Sequence, residues 1–221
     1  MLRLETQLEP SRREPPAPAL ELRLQFVDGS IETFIQRDAH EAERIRNGIN
    51  PAKLFKQTRI VVADDYSKSV FVCRQINRVD LIYDDPGFST PLPDLADLVE
   101  LTEAEFQKHV PVHEPGRLER RDQLREVGDL MVSFLNLRMR GGSHVYLMEE
   151  LLVKLPAESQ SFMQRLLSSD CFTFRLPGGG QGFLNPQNLI GFTAYPGVRE
   201  LPADVWLAQA RIPLDIASHG V

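Results

Sequence analysis

Two segments of the chain carry one pattern, Ile76-Asn77-x-x-Asp80-Leu81-Ile82 and Leu184-Asn185-x-x-Asn188-Leu189-Ile190, separated by 108 positions. A repeat of this kind points to an architecture built twice from one unit. The competing reading is two unrelated α+β halves whose short apolar strands look alike by composition, so each half is read in turn. In the first, Leu22, Leu24 and Phe26 alternate with Arg23 and Gln25, the period of a half-buried strand. Asp28-Gly29-Ser30 supplies turn chemistry, and Ile31, Thr33 and Ile35 return as the second arm of a hairpin. Asp38, with Glu41 three residues on, starts a short helix that Gly48 and Pro51 end. Two further strands follow, TRIVVAD and SVFVCRQI, around the turn Asp64-Asp65-Tyr66-Ser67. The apolar stretch Val79-Leu81-Ile82 reads as a tail that turns at Asn77 and covers the core.

The second half has the same order. Val132, Phe134 and Leu135 lead through NLRMR to a Gly141-Gly142 turn and the returning strand HVYLM. A helix fits PAESQSFMQRLLSS, with Phe162, Leu166 and Leu167 on one side. CFTFRL, the turn Pro177-Gly178-Gly179-Gly180 and QGFLNPQNLIGF complete it, the last again with an apolar tail. Gly29-Ser30 aligns with Gly142-Ser143 at a spacing of 113, Ile60 with Cys171 at 111, and the terminal pattern at 108. The fold expected is α+β: two tandem ββαββ repeats with mostly antiparallel sheets, pseudo-twofold related, joined by short helices.

The domain reading follows: a flexible N-terminal arm over 1–19, a first unit over 20–84 and a linker over 85–130, then a second unit over 131–197 and a C-terminal helix and tail over 198–221. Thr102 and Glu105 form a capping box that opens a linker helix, TEAEFQKH. Trp206 is expected on the inner face of the last helix. The core is expected to contain Phe34, Val61, Phe71, Val72, Phe134, Leu147, Phe172 and Phe174.

Composition then narrows function. The 25 basic and 31 acidic residues leave a net charge of −6, which counts against phosphate-backbone binding as the main activity. Two cysteines are too few for a disulfide scaffold or a four-thiolate zinc site, and both are expected as free thiols. The charged N-terminal segment lacks the apolar core of a secretory signal, and no apolar run is long enough to span a membrane; the expected location is cytoplasmic.

Few residues have a spacing that chemistry requires. His109, His113 and Glu114 are the one candidate metal set, since two imidazoles and a carboxylate suit a divalent ion. Pro111 and Pro115 break the helix that would align them, and solvated linker residues are the competing reading. The glycine-rich loop at 178–182 lacks the Lys-Ser/Thr of a phosphate loop and reads as a hairpin turn. Asp64-Asp65 and Asp84-Asp85 read as turn residues, and no nucleophile elbow or cysteine–histidine pairing is present. Arg138 and Arg140, two apart on one strand, are the candidate nucleic-acid contacts; His144 reads as exposed. The function expected is a non-catalytic protein-binding or assembly module without a cofactor, acting through a protein partner or self-association. The alternatives are a small-ligand or metal-binding sensor or enzyme using the groove between the halves, and nucleic-acid binding.

Overall fold

The computed structural model describes residues 17–64, 66–84, 97–110, 130–152, 168–195 and 206. It is an α+β fold with a mostly antiparallel sheet of nine strands and a separate two-stranded ribbon. Strands β1 (Leu20–Phe26) and β2 (Ile31–Gln36) form a hairpin, followed by helices α1 (Ala39–Gly48) and α2 (Pro51–Leu54). The ribbon is β3 (Arg59–Ala63) with β4 (Lys68–Val72), and a 3-10 segment at Cys73–Gln75 leads into β5 (Ile76–Ile82). Then come β6 (Asp97–Leu101), α3 (Glu103–His109), β7 (Leu130–Met139) and β8 (His144–Leu152). β9 (Phe172–Arg175), β10 (Gln181–Leu184), a 3-10 segment at Pro186–Asn188 and β11 (Leu189–Tyr195) complete the order. Within the large sheet the strands run β11-β7-β8-β6-β9-β10-β5-β1-β2.

Local sequence explains the ends of these elements. The Asp38 carboxylate accepts from Glu41 N–H at 2.8 Å, while Asp38 N–H donates to the Gln36 side chain at 2.9 Å. Gln36 thus takes the reciprocal role expected of Glu41. Gly48 ends α1, and Pro51 opens α2 at a position where its missing N–H costs nothing. The Thr102–Glu105 capping box is formed in full on α3.

Two expectations about strands are corrected. The apolar tails are strands in their own right: the 3-10 segments separate β4 from β5 and β10 from β11. β5 then lies between β10 and β1, and its side chains are covered on both faces although polar and apolar residues alternate along it. The segment read as linker contributes β6, which enters the large sheet between β8 and β9.

The alignment of the two Asn motifs is corrected as well. Phe26 N–H donates to Ser30 O, Gly29 N–H to Phe26 O and Val27 N–H to Gln75 O; Met139, Gly142 and Arg140 make the same three bonds to Ser143, Met139 and Asn188, each 113 residues later. Both β1–β5 and β7–β11 also skip one residue at the corresponding place, Asn77 in one pairing and Ile190 in the other. Asn77 therefore corresponds to Ile190, and Asn185, which caps the second 3-10 segment, to Val72. The motifs look alike because a bulge and a 3-10 cap both require turned backbone, which asparagine favours.

The core has two layers on opposite faces of the central strands. Phe183 packs with Leu24, Ile76, Val79 and Leu81 on one face; the next residue, Leu184, packs with Leu135, Leu137, Leu147 and Phe174 on the other. Leu147, Phe172 and Phe174 are buried as expected, and Phe34, Phe71 and Phe134 are half-buried. Val61 and Val72 are exposed instead, because the β3–β4 ribbon turns its Ile60–Phe71 face inward, with Phe71 against Phe26 and Phe34. Trp206 is 96% exposed, not on an inner face, and the rest of its expected helix lies outside the described residues. So do the arm over 1–16 and Phe162, Leu166 and Leu167.

Candidate functional site

Among the described residues the large sheet buries charge at Glu149 on β8 and in a cluster around Arg78. Arg78 and Asp80 sit two apart on β5 and so project from the same face. Arg78 Nε donates to Asp80 Oδ1 at 2.7 Å, Nη2 donates to Glu100 Oε2 at 2.6 Å, and Nη1 pairs with Glu100 Oε1. Its guanidinium lies over the Phe174 ring, 5.0 Å from the centroid. Gly182 makes that stack possible, because a Cβ there would come within 2.4 Å of the Phe174 ring. Burial pulls the Arg78 guanidinium down, but the hydrogen bonds and charges of Glu100 and Asp80 outweigh it and hold it above its ordinary value. Asp80 is raised by burial, and the nearby Arg78 offsets only part of this.

A cleft of about 310 Å³ adjoins the cluster, lined also by Arg23, Gln25, Ile31 and Thr102. Two of its polar groups have partners within the chain: Arg23 pairs with Glu21 at 2.5 Å, and the Thr102 hydroxyl donates to Glu105 Oε2 at 2.7 Å. What the arrangement does is join β5 to β6 by charge through Arg78 and Glu100. A strand with charges alternating inside an apolar run, Ile76-Asn77-Arg78-Val79-Asp80-Leu81, was the sequence signal for this cluster.

His109 ends α3, exposed, with its ring stacked on Phe134 at 5.0 Å; His113 and Glu114 lie outside the described residues. Among the described residues no three His, Cys, Asp or Glu side chains come together as a metal site. Arg138 is exposed on β7 and Arg140 is exposed in the turn beyond it. Arg138 stands across from His144, whose Nδ1 lies 2.7 Å from Asn136 Oδ1. Gly178, Gly179 and Gly180 close the β9–β10 hairpin, Leu176 N–H donating to Gly180 O at 3.2 Å. Among the described residues no helix is long and apolar enough to cross a membrane.

A second feature lies at the end of the sheet. β2 pairs with β1 alone among the described strands. Phe26 N–H donates to Ser30 O, so antiparallel alternation aims the main-chain groups of Glu32, Phe34 and Gln36 at β1 and those of Ile31, Thr33 and Ile35 outward. The same three side chains are exposed, Ile31 at 55% and Ile35 at 52%. The expected hairpin is present, but its apolar period faces away from the core, since Phe34 lies opposite Leu22 and takes the inner face. Among the described residues, neither proline nor lysine guards this edge.

Comparison with known proteins finds no match for the chain among family models, curated proteins or solved structures.

Proposed function

We propose that this chain is a non-catalytic protein-binding or assembly module, built by internal duplication, that accepts an extended strand along β2. The observation that carries the reading is the contrast between two corresponding edges. At the spacing of 113, β2 corresponds to β8, and the outward edge of β8 is occupied by β6, with Leu101 opposite Tyr146 and Val99 opposite Met148. The corresponding positions on β2 are Thr33 and Ile35, and no described strand pairs with them. Strand addition supplies main-chain hydrogen bonds at such an edge and reads alternate side chains for specificity. The repeated hydrogen bonds and bulge support the duplication. The strand order, β11-β7-β8 followed by β5-β1-β2, favours a tandem relation over a twofold acting on the whole sheet, which would mirror it. Two free thiols fit a reducing compartment such as the cytoplasm.

The test is titration of the full chain with a capped peptide of the β6 sequence, Asp97–Leu101, followed by amide NMR. Shifts concentrated at Ile31–Gln36 and lost in Thr33→Pro support the reading. An unchanged β2, or peptide binding indifferent to Thr33→Pro, refutes it.

A further inference from the structure

We infer that the strand added to β2 is the β2 of a second copy of this chain, antiparallel and centred on Thr33. This rests on the strand-acceptor reading above and names its occupant. A twofold through Thr33 places Ile31 opposite Ile35 of the second copy, Thr33 opposite its own counterpart, and Ile35 opposite Ile31. Those are the three residues whose main-chain groups point outward, so this register pairs all of them. Sliding by two residues sets one isoleucine against Thr33 and the other against Gly29 or Arg37, depending on the direction, so neither keeps an isoleucine partner. A one-residue slip would set an outward-facing residue against an inward-facing one.

Charge favours the same arrangement. Within Ile31–Ile35 the single ionisable side chain is Glu32, and the twofold sets it against Phe34 of the second copy. An in-register parallel pairing would set Glu32 against Glu32, a like-charge contact that destabilises a strand pair. β6 shows the kind of strand that the corresponding edge takes: Leu101 and Val99 stand opposite Tyr146 and Met148, the counterparts of Thr33 and Ile35. The Ile-Glu-Thr-Phe-Ile sequence of β2 is itself a strand of that kind, and a twofold interface of this sort is self-complementary and closes at two copies.

The experiment is sedimentation velocity on the full chain over a wide concentration range, with oxidative crosslinking of Thr33→Cys. Antiparallel partners stand about 5.5 Å apart at Cα, within the span of a disulfide. The expected results are a mass that doubles with concentration and one crosslinked dimer. Tyr66→Cys, exposed at the tip of the β3–β4 ribbon, yields none. Ile35→Lys returns the chain to monomer, as does Thr33→Pro, whose lost N–H points away from β1 and leaves the β1–β2 ladder whole. A chain that stays monomeric throughout and forms no Thr33→Cys dimer overturns the inference. If such a monomer still binds the β6 peptide along β2, only the self-pairing falls; if it binds none, the strand-acceptor reading falls with it.

Discussion

The Asn77 side chain donates through Nδ2 to the Arg140 main-chain oxygen at 2.7 Å, tying the bulge of β5 to the turn after β7 across 63 residues of sequence. Asn77 is buried, so replacing it with alanine leaves the Arg140 carbonyl without that donor. Asn77→Ala is expected to cost about 1–3 kcal/mol, read from urea unfolding at constant m. Asn77→Asp costs more, because it sets an acceptor and a charge against the same carbonyl. Equal stability for all three proteins would remove Asn77 from this role.

Gly141 and Gly142 occupy one turn, both with positive φ, but their surroundings differ. A Cβ on Gly141 would lie 1.9 Å from Val27 O, where the two hairpin tips meet; on Gly142 it would meet nothing within 4 Å. Gly142→Ala therefore carries only the left-handed backbone penalty, about 1–2 kcal/mol. Gly141→Ala is expected to lower the urea midpoint distinctly further, and matching losses would show that the tips do not touch.

Arg78 bonds both a buried carboxylate, Asp80, and a half-buried one, Glu100. Arg78→Met strands both, and breaking a buried pair in this way costs about 3–5 kcal/mol. Adding Asp80→Val and Glu100→Leu to that variant removes the stranded charge and is expected to recover most of the loss. A triple variant no more stable than Arg78→Met would show that the cluster stabilises by more than mutual neutralisation.

Asp80 makes stability depend on pH in a defined direction. Burial raises its carboxyl above the ordinary value, so the folded chain holds a proton that the unfolded chain has released. Its contribution is fully present below the unfolded pKa near 4 and is lost as pH rises through the folded value. Exposed Asp64, held down by the Tyr66 and Ser67 hydrogen bonds, acts in the opposite sense and stabilises above that range. Urea midpoints across the acid range should thus fall less steeply with rising pH in Asp80→Asn than in the parent. Parallel curves would contradict the assignment.

Burial pushes the Cys171 thiol up to about 12, and Cys73 is raised by burial too. At mild alkaline pH neither presents much thiolate, so iodoacetamide is expected to label both slowly in the folded chain and rapidly in urea. Prompt labelling of the native protein at Cys171 would show that β9 opens readily.

Much of the local structure was legible in the sequence. The Asp28-Gly29 and Gly141-Gly142 turns, the Asp38 start of α1 and the Thr102–Glu105 box depend on contacts within a few residues, and all are found where the pattern places them. The candidate site was less legible. Arg78 and Glu100 lie 22 residues apart on strands that are not neighbours in the sheet, and their pairing depends on Gly182 leaving room for the Phe174 ring. No spacing rule encodes that.

By itself, then, the sequence determined where the hairpin turns and helix caps occur, because those respond to side-chain chemistry at close range along the chain, while β6 and the separate strands β5 and β11 were not legible in it. Only the tertiary structure decided which face of each strand is covered. Ile31 and Ile35 have the composition of core residues, yet they face outward because Phe34 lies opposite Leu22 on the packed side. Val79 and Asp80 alternate as a half-buried strand would, yet both are buried because layers close over both faces of β5. Periodicity specifies that two faces differ; which of them meets another layer depends on segments far away in the chain, and burial follows from that meeting.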